Sequence, residues 1–185
     1  VYYDLANGTV VDLADTAAAT STAWQIAFRR FEIKLNGGTS GSGEVAGYMA
    51  KQLDGFYDAD GNPVKAKFLA ATPDNTLADL TANDYATPSS RAWVSDSQGS
   101  VLSPAYTGTY PGALSYGFYS YYPTASGALP AHRLEANTDE GALLRSGDGK
   151  SYARFHLSKI EYATPADATS AQTWTFEFNV QPAAE

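Results

Sequence analysis

The sequence has no cysteine, one methionine, two histidines and few basic residues. Without cysteine it has no disulfide framework, no thiolate metal site and no cysteine nucleophile. No apolar run reaches the roughly 18 residues that a membrane-spanning helix needs. Lysine and arginine number 12 against 20 aspartates and glutamates, which gives a net charge of −8 and a pI of about 4.6. An acidic surface repels nucleic-acid phosphates and anionic membranes, so neither is an expected partner.

The residues that are present favour β-structure. The chain has 185 residues, of which 44% are hydrophobic, and it includes 13 tyrosines and 16 glycines. Tyrosine is common in strands and glycine in the turns that join them. We therefore predict one all-β domain over residues 1–185, an antiparallel sandwich or barrel-like sheet with at most short helices.

The N-terminal third carries hairpin and loop signals. Asn7-Gly8 between two short β-rich runs predicts a hairpin. From Trp24 to Leu35 apolar residues alternate with polar ones, but their parity switches once, which predicts a strand with a bulge or bend near Arg29-Arg30. Asn36 to Gly43 holds four glycines and predicts a loop. It is not a phosphate-binding loop, because no Gly-Lys-Ser/Thr follows.

The rest of the chain has a weakly patterned middle and a strongly patterned end. Residues 44–53 are consistent with a short helix or an irregular segment, and a short helix is predicted at Thr76–Leu80. Near the C-terminus, Ser146–Gly149 is typical of a hairpin turn between strands at 141–145 and 152–160. Alternating apolar residues then predict a half-buried strand; they are Trp174, Phe176, Phe178 and Val180.

Three segments together resemble the HmuY family of bacterial haem-binding proteins. They are Trp24–Arg30 with Asn36-Gly37-Gly38 and Ser40-Gly41, Leu143–Lys150 with the strand Tyr152–Tyr162, and Thr173–Phe178. The resemblance implies an all-β, exported protein, often anchored as an outer-membrane lipoprotein. It also implies a haemophore, which takes haem from host proteins and delivers it to an outer-membrane receptor.

In the family, two axial side chains hold the haem iron, histidines in the founding type and methionines in some relatives. The corresponding stretches of this chain, around Arg91 to Tyr106 and near Tyr119 to Pro123, contain neither residue type. The second stretch offers Tyr121 and Tyr122 instead. The resemblance therefore predicts the fold and leaves the axial ligands open.

Tyrosine is the residue type most able to replace the missing ligands. Tyrosinate binds ferric iron, especially where a neighbour helps the phenol to lose its proton. The candidate haem-binding tyrosines are Tyr116, Tyr119, Tyr121 and Tyr122, of which Tyr121 or Tyr122 is expected to approach the iron. The alternative is that these rings pack on sheet faces, as tyrosine commonly does.

Three further side chains are candidate donors to haem. His132 lies in a loop and is a candidate metal ligand, whereas His156 lies in a predicted strand. Met49 is a soft donor. Each also has a structural alternative. His132 would be a surface histidine, His156 a cross-strand histidine, and Met49 a methionine that fills the core.

These observations favour ligand binding outside the cytoplasm, with haem or another iron porphyrin as the first candidate. The alternative is a cell-surface or secreted interaction module of the same fold that lacks haem, including a glycan-binding one that uses the exposed aromatics near Tyr116 to Tyr122. No catalytic motif is present, so we do not expect an enzyme. The chain opens on Val1, and we expect that a signal peptide or a lipid-anchor cysteine has been removed from the protein.

Overall fold

The computed structural model describes residues 1–51, 58–60, 64–70, 93–100, 102–138, 140–149 and 151–181. The helix predicted at Thr76–Leu80 lies outside these residues. Within them the chain forms three antiparallel sheets and two short helices, and no sheet closes into a barrel. The all-β prediction is confirmed. In chain order the elements are β1 (Tyr2–Asp4), β2 (Thr9–Val11), α1 (Asp15–Ala18), β3 (Ile26–Arg29), β4 (Glu32–Leu35), β5 (Ala46–Lys51), α2 (Lys65–Ala70), β6 (Leu114–Ser115), β7 (Tyr119–Tyr122), β8 (Arg133–Ala136), β9 (Glu140–Arg145), β10 (Tyr152–Tyr162) and β11 (Gln172–Gln181).

The first sheet has the strand order β2-β1-β3-β4. The β1–β2 hairpin that Asn7-Gly8 predicts is present, and Gly8 has a φ of 66°. The Asp4 carboxylate stabilises the turn, because it accepts hydrogen bonds from the backbone N–H groups of Ala6 at 3.0 Å and Asn7 at 3.3 Å. Such bonds satisfy turn amides that no strand reaches.

The bulge predicted near Arg29-Arg30 is wrong. The chain reverses there in a two-residue hairpin turn, with Arg29 opposite Glu32 and Phe28 opposite Ile33. Arg30 has a φ of 56°, the left-handed conformation that such tight turns require. Directly opposed residues share a face, so reversal of the chain explains the parity switch without an extra residue.

The second sheet has the order β11-β10-β9-β5. The predicted turn at Ser146–Gly149 joins β9 to β10, and the Ser146 N–H bonds to the Ser151 carbonyl at 2.9 Å. Residues 46–51 form β5 along β9, which corrects the helical or irregular alternative for that segment. Local sequence did not reveal this strand, because pairing with a distant strand determines its conformation.

The three sheets meet at Phe155, which is fully buried on β10. Its ring lies 6.1 Å from Phe28 of the first sheet and 4.6 Å from Phe118, which immediately precedes β7 of the third sheet. Phe176 and Phe178 of β11 complete the cluster at 5.1 and 4.9 Å. Aromatic pairs at these distances add to the stabilisation that burial of their area provides.

The glycine-rich loop wraps around the side chain of Asn36, which is fully buried. The Asn36 amide donates to the carbonyls of Ser21 and Trp24, both at 2.8 Å, and its oxygen accepts the Gly43 N–H at 3.0 Å. A Cβ at Gly41 or Gly43 would collide with Asn36. The glycines are therefore needed for close approach to a buried amide, and not for chain flexibility.

The free edge of β4 is covered by side chains of the segment that follows residue 93. The Asp96 carboxylate accepts the Leu35 N–H at 2.9 Å. The Ser103 hydroxyl accepts the Ile33 N–H at 3.2 Å and donates to the Ile33 carbonyl at 3.1 Å. These bonds satisfy an edge without adding a strand, and they hold residues 102–104 beside the hairpin tip.

We predict that Asn36→Ala lowers the free energy of unfolding by about 2–4 kcal/mol, since it leaves buried carbonyls and an N–H unpaired. The corresponding fall in melting temperature is roughly 5–15 °C. Differential scanning calorimetry measures it. The control is Asn7→Ala, which removes an exposed amide and should cost less than about 1 kcal/mol. Equal melting temperatures for the two variants would contradict this role of Asn36.

Candidate functional site

The tyrosine-rich segment forms the third sheet, in the order β6-β7-β8. Tyr121 pairs with Leu114 on one side and Leu134 on the other, and Tyr122 pairs with Arg133. Because side chains alternate along a strand, Tyr119 and Tyr121 lie on one face and Tyr122 on the other. The four candidate tyrosines therefore do not act as one group.

Two of these tyrosines form the wall of a cleft that we call the aromatic cleft. The rings of Tyr116 and Tyr119 are stacked, with centroids 5.1 Å apart and planes 7° from parallel. Tyr106 packs on Tyr116 at 5.5 Å, and Trp174 meets Tyr119 edge-on at 5.4 Å. The cleft has a volume of about 220 Å³, and it is lined by Phe31, Glu32, Ile33, Leu102, Ser103, Pro104, Tyr116, Phe118 and Tyr119.

Tyr119 contributes a neutral phenol to this wall. Burial, together with a smaller effect of the neighbouring Tyr116, raises the pKa of Tyr119 to about 12. A phenol with so high a pKa keeps its proton at physiological pH. Tyr119 is therefore suited to stacking against a flat apolar group, and poorly suited to supply a phenolate.

Tyr121 has a different partner. Its hydroxyl oxygen lies 2.7 Å from Nδ1 of His132, and the two rings are stacked with centroids 6.1 Å apart. His132 has a φ of 66°, and its backbone N–H donates to the Tyr122 carbonyl at 2.7 Å. That hydrogen bond positions the imidazole at the start of β8. With its proton on Nε2, the ring presents Nδ1 as an acceptor for the phenol proton.

The pair of Tyr121 and His132 lies close to the aromatic cleft along the sheet. Tyr121 follows Tyr119 by two residues on the same face, which corresponds to a separation of about 7 Å along the strand. Tyr121 is partly exposed and His132 is exposed. A flat ligand that stacks on the cleft wall therefore has an accessible oxygen donor beside it.

The remaining candidates lie elsewhere. Tyr122 is on the opposite face of the third sheet. Its neighbour Arg133 is held there by Glu135 at 2.7 Å and lies 3.6 Å above the Tyr162 ring. Met49 lies on β5 of the second sheet, where it pairs with Ala142.

His156 is also on the second sheet, and it is buried. Its Nε2 is 3.6 Å from the Glu177 carboxylate, while its Nδ1 has no hydrogen-bond partner. Burial lowers the pKa of His156, an effect that the charge of Glu177 partly opposes. His156 therefore faces a residue of the neighbouring strand, which is the cross-strand role given above as the alternative to ligand binding.

Sequence reasoning missed Phe31, Leu102, Pro104 and Trp174 as residues at the cleft. Phe31 is at a hairpin tip and is 51% exposed, an unusual position for a large apolar ring. The one sequence signal that pointed to the cleft was this phenylalanine next to the paired arginines. The other residues come from distant parts of the chain, and only packing brings them together.

Two larger clefts have other chemistry. One, of about 740 Å³, lies on the outer face of the first sheet among charged and hydroxyl side chains, including Asp15, Arg29, Glu32 and Lys34. The other, of about 420 Å³, is more apolar and is lined by Leu5, Val45, Leu144, Tyr152, Ala153 and Val180. Neither contains a histidine or methionine among its lining residues.

A comparison with protein families identifies the family of this chain. The family model described as HmuY protein matches residues 1–178. The chain belongs to the HmuY family. A comparison with curated proteins finds no match. Among the described residues of this HmuY-family chain, no helix is long and apolar enough to cross a membrane, and no group of three or more His, Asp or Glu side chains is arranged to hold a metal ion.

We predict that His156 makes stability fall with acidification. Its folded pKa lies below the ordinary value of 6.5, so the unfolded chain binds the proton first as the pH falls through that value. The folded state therefore loses stability below about pH 6.5, and the loss levels off below the folded pKa. Urea unfolding at a series of pH values measures it.

In His156→Gln this part of the pH dependence should disappear. In Glu177→Gln it should become steeper, since the carboxylate that favours the protonated imidazole is gone. Parallel pH profiles for the wild type and His156→Gln would rule out this source of acid sensitivity.

Proposed function

We propose that this HmuY-family chain binds haem or another iron porphyrin outside the cytoplasm and serves haem and iron acquisition. The single observation that supports this proposal best is the pair of Tyr121 and His132, with 2.7 Å between the phenol oxygen and Nδ1, beside a stacked aromatic wall. Family membership supports the ligand class.

The described residues fit a porphyrin in the groups they supply. A haem site needs a flat apolar wall and an axial donor. Tyr116 and Tyr119 provide the wall as stacked rings, and the phenol of Tyr119 is neutral. Tyr121 provides the donor, because its oxygen is accessible and already has a base as its neighbour. If haem were bound, its ferric iron would be a Lewis acid, and Tyr121 would hold it through the phenol oxygen.

His132 is the residue that receives the phenol proton. If the Tyr121 oxygen held a cation, its proton would have to leave, and Nδ1 lies within hydrogen-bond distance to accept it. The imidazolium would then lie beside the phenolate and stabilise its charge. His132 is thus assigned as a positioning and proton-accepting residue, while Tyr121 is assigned as the ligand.

Arg30 is our candidate for binding the carboxylates of a porphyrin. It is exposed at the hairpin tip, next to Phe31, which lines the aromatic cleft. Arginine binds carboxylates through parallel hydrogen bonds. The propionates are the anionic groups of haem, so Arg30 would hold them.

The cellular part of the proposal rests on the family. We propose an exported protein, either secreted or held as an outer-membrane lipoprotein. It would take haem from a host haem protein and pass it to an outer-membrane receptor. We propose a binding role and not catalysis, because the aromatic cleft and the donor pair supply the means to hold a ligand.

A second candidate function has its own observation. Tyr106 and Tyr110 are 54% and 69% exposed, and Phe31 is 51% exposed. Exposed aromatic rings stack well on sugars, so an interaction module that binds glycans and not haem is the alternative. An oligosaccharide array distinguishes it from the haem-binding function.

We predict that haemin added to the wild-type protein shifts the Soret band with saturable binding. Tyr121→Phe should remove the spectrum of a phenolate ligand, and His132→Gln should weaken haemin binding by about 10- to 100-fold, as loss of the hydrogen-bond partner of a metal ligand typically does. Absorbance titration and resonance Raman spectroscopy measure both effects.

Tyr122→Phe is the matched control, because Tyr122 lies on the opposite face of the same strand. It should bind haemin like the wild type. Absence of any Soret change in the wild type would eliminate the haem proposal. A normal spectrum in Tyr121→Phe would leave haem binding intact but exclude Tyr121 as the ligand.

A further inference from the structure

The outer edge of β11 is a surface that the proposed function does not use. β11 spans Gln172–Gln181 and is the terminal strand of the second sheet. It bonds to β10 on one side. On its other side, no backbone group of the described residues pairs with it. A strand of ten residues with one edge open is long for a terminal strand.

The outward edges of three other terminal strands differ from that of β11. β4 has its outward groups satisfied by Asp96 and Ser103. β5 is bridged at Gly47 to Val94, and β2 has only three residues. β11 thus differs from each of them, since no side chain in the described part of the chain covers its long edge.

The sequence of β11 also lacks the devices that block strand pairing. It contains no lysine, proline or glycine, and its one charged residue is Glu177. The register shift in this part of the sheet is on β10, at Ser158, so β11 itself runs without a bulge. Strands of high β-propensity and low charge readily add a further strand when their edge is open.

We propose that β11 pairs antiparallel with β11 of a second copy of this chain, across a twofold axis at Phe176. Directly opposed residues must share a face, so the axis has to pass through a residue and not between two. An axis at Phe176 overlaps residues 172–180 of both copies. It places Glu177 opposite Thr175 of the second copy.

The neighbouring registers are less favourable. An axis at Glu177 places two carboxylates face to face, which is destabilising. An axis at Thr175 shortens the overlap to residues 172–178. The axis at Phe176 also places Trp174 opposite Phe178 of the second copy and Phe176 opposite itself. These three rings are half-buried in the single chain, so pairing would cover apolar surface that a terminal strand leaves open.

A charge test at position 175 checks both the dimer and its register. In Thr175→Glu the new carboxylate lies opposite Glu177 of the second copy, and the twofold axis creates this like-charge pair at two places. The substitution should therefore weaken dimerisation by roughly 3- to 30-fold. Thr175→Lys should strengthen it by a similar factor. The double variant with Thr175→Glu and Glu177→Lys restores opposite charges across the axis and should recover dimerisation. Sedimentation equilibrium of the whole chain, without haemin, measures each constant.

The matched control is Thr9→Glu, which adds the same charge to an exposed threonine on β2, the end strand of the first sheet. It should dimerise like the wild type. A second measurement needs no variant: amide hydrogen exchange of residues 172–181 should slow as the protein concentration rises.

A wild-type protein that stays monomeric at concentrations up to about 1 mM would overturn the proposal. A strand of another protein would then be the candidate partner of the β11 edge. Equal dimerisation of Thr175→Glu and Thr175→Lys would overturn the proposal too. Neither result depends on haem, so these experiments test the dimer independently of the haem-binding function.

Discussion

Everything else in this fold depends on the contacts of one buried ring, that of Phe155. Each of the three sheets has one apolar face that must be buried, and none is large enough to bury it alone. Phe155 touches Phe28 of the first sheet, Phe176 and Phe178 of the second, and Phe118 at the start of the third. These contacts set the position of the tyrosine-rich sheet relative to the β3–β4 hairpin. The aromatic cleft lies between those two parts, so its shape follows from the packing around Phe155.

The buried amide of Asn36 provides a second constraint, and it is polar. Its hydrogen bonds join the end of β4 to the loop before β3 and to Gly43. The segment that follows residue 93 is attached to β4 in a similar way, through Asp96 and Ser103. Because buried polar groups are costly without partners, these bonds select one loop arrangement. They also place Leu102 and Pro104 against Phe31, which closes one side of the cleft.

At the site, neighbouring tyrosines of the same strand have different chemistry. Tyr119 is buried against Tyr116 and Trp174, and burial raises its pKa to about 12. Tyr121, two residues further on the same face, reaches the surface and meets His132. One ring is therefore a wall and the other a candidate donor. Under the proposed function, this division would supply the wall and the donor that an iron porphyrin needs, in a chain without histidine or methionine in the expected stretches.

The sequence by itself determined the all-β class, the β1–β2 and β9–β10 hairpins and the alternating strand β11, since these follow from local turn chemistry and a period of two. It also singled out the tyrosine-rich segment and His132. It did not reveal β5, the tight turn at Arg30 or the division of roles between Tyr119 and Tyr121. The strand and the division of roles depend on residues far apart in the chain: β9 for the strand, Trp174 and Phe31 for the cleft, and the start of β8 for the imidazole. Only tertiary structure decided them, because burial and proximity are properties of the packed chain and not of any one segment.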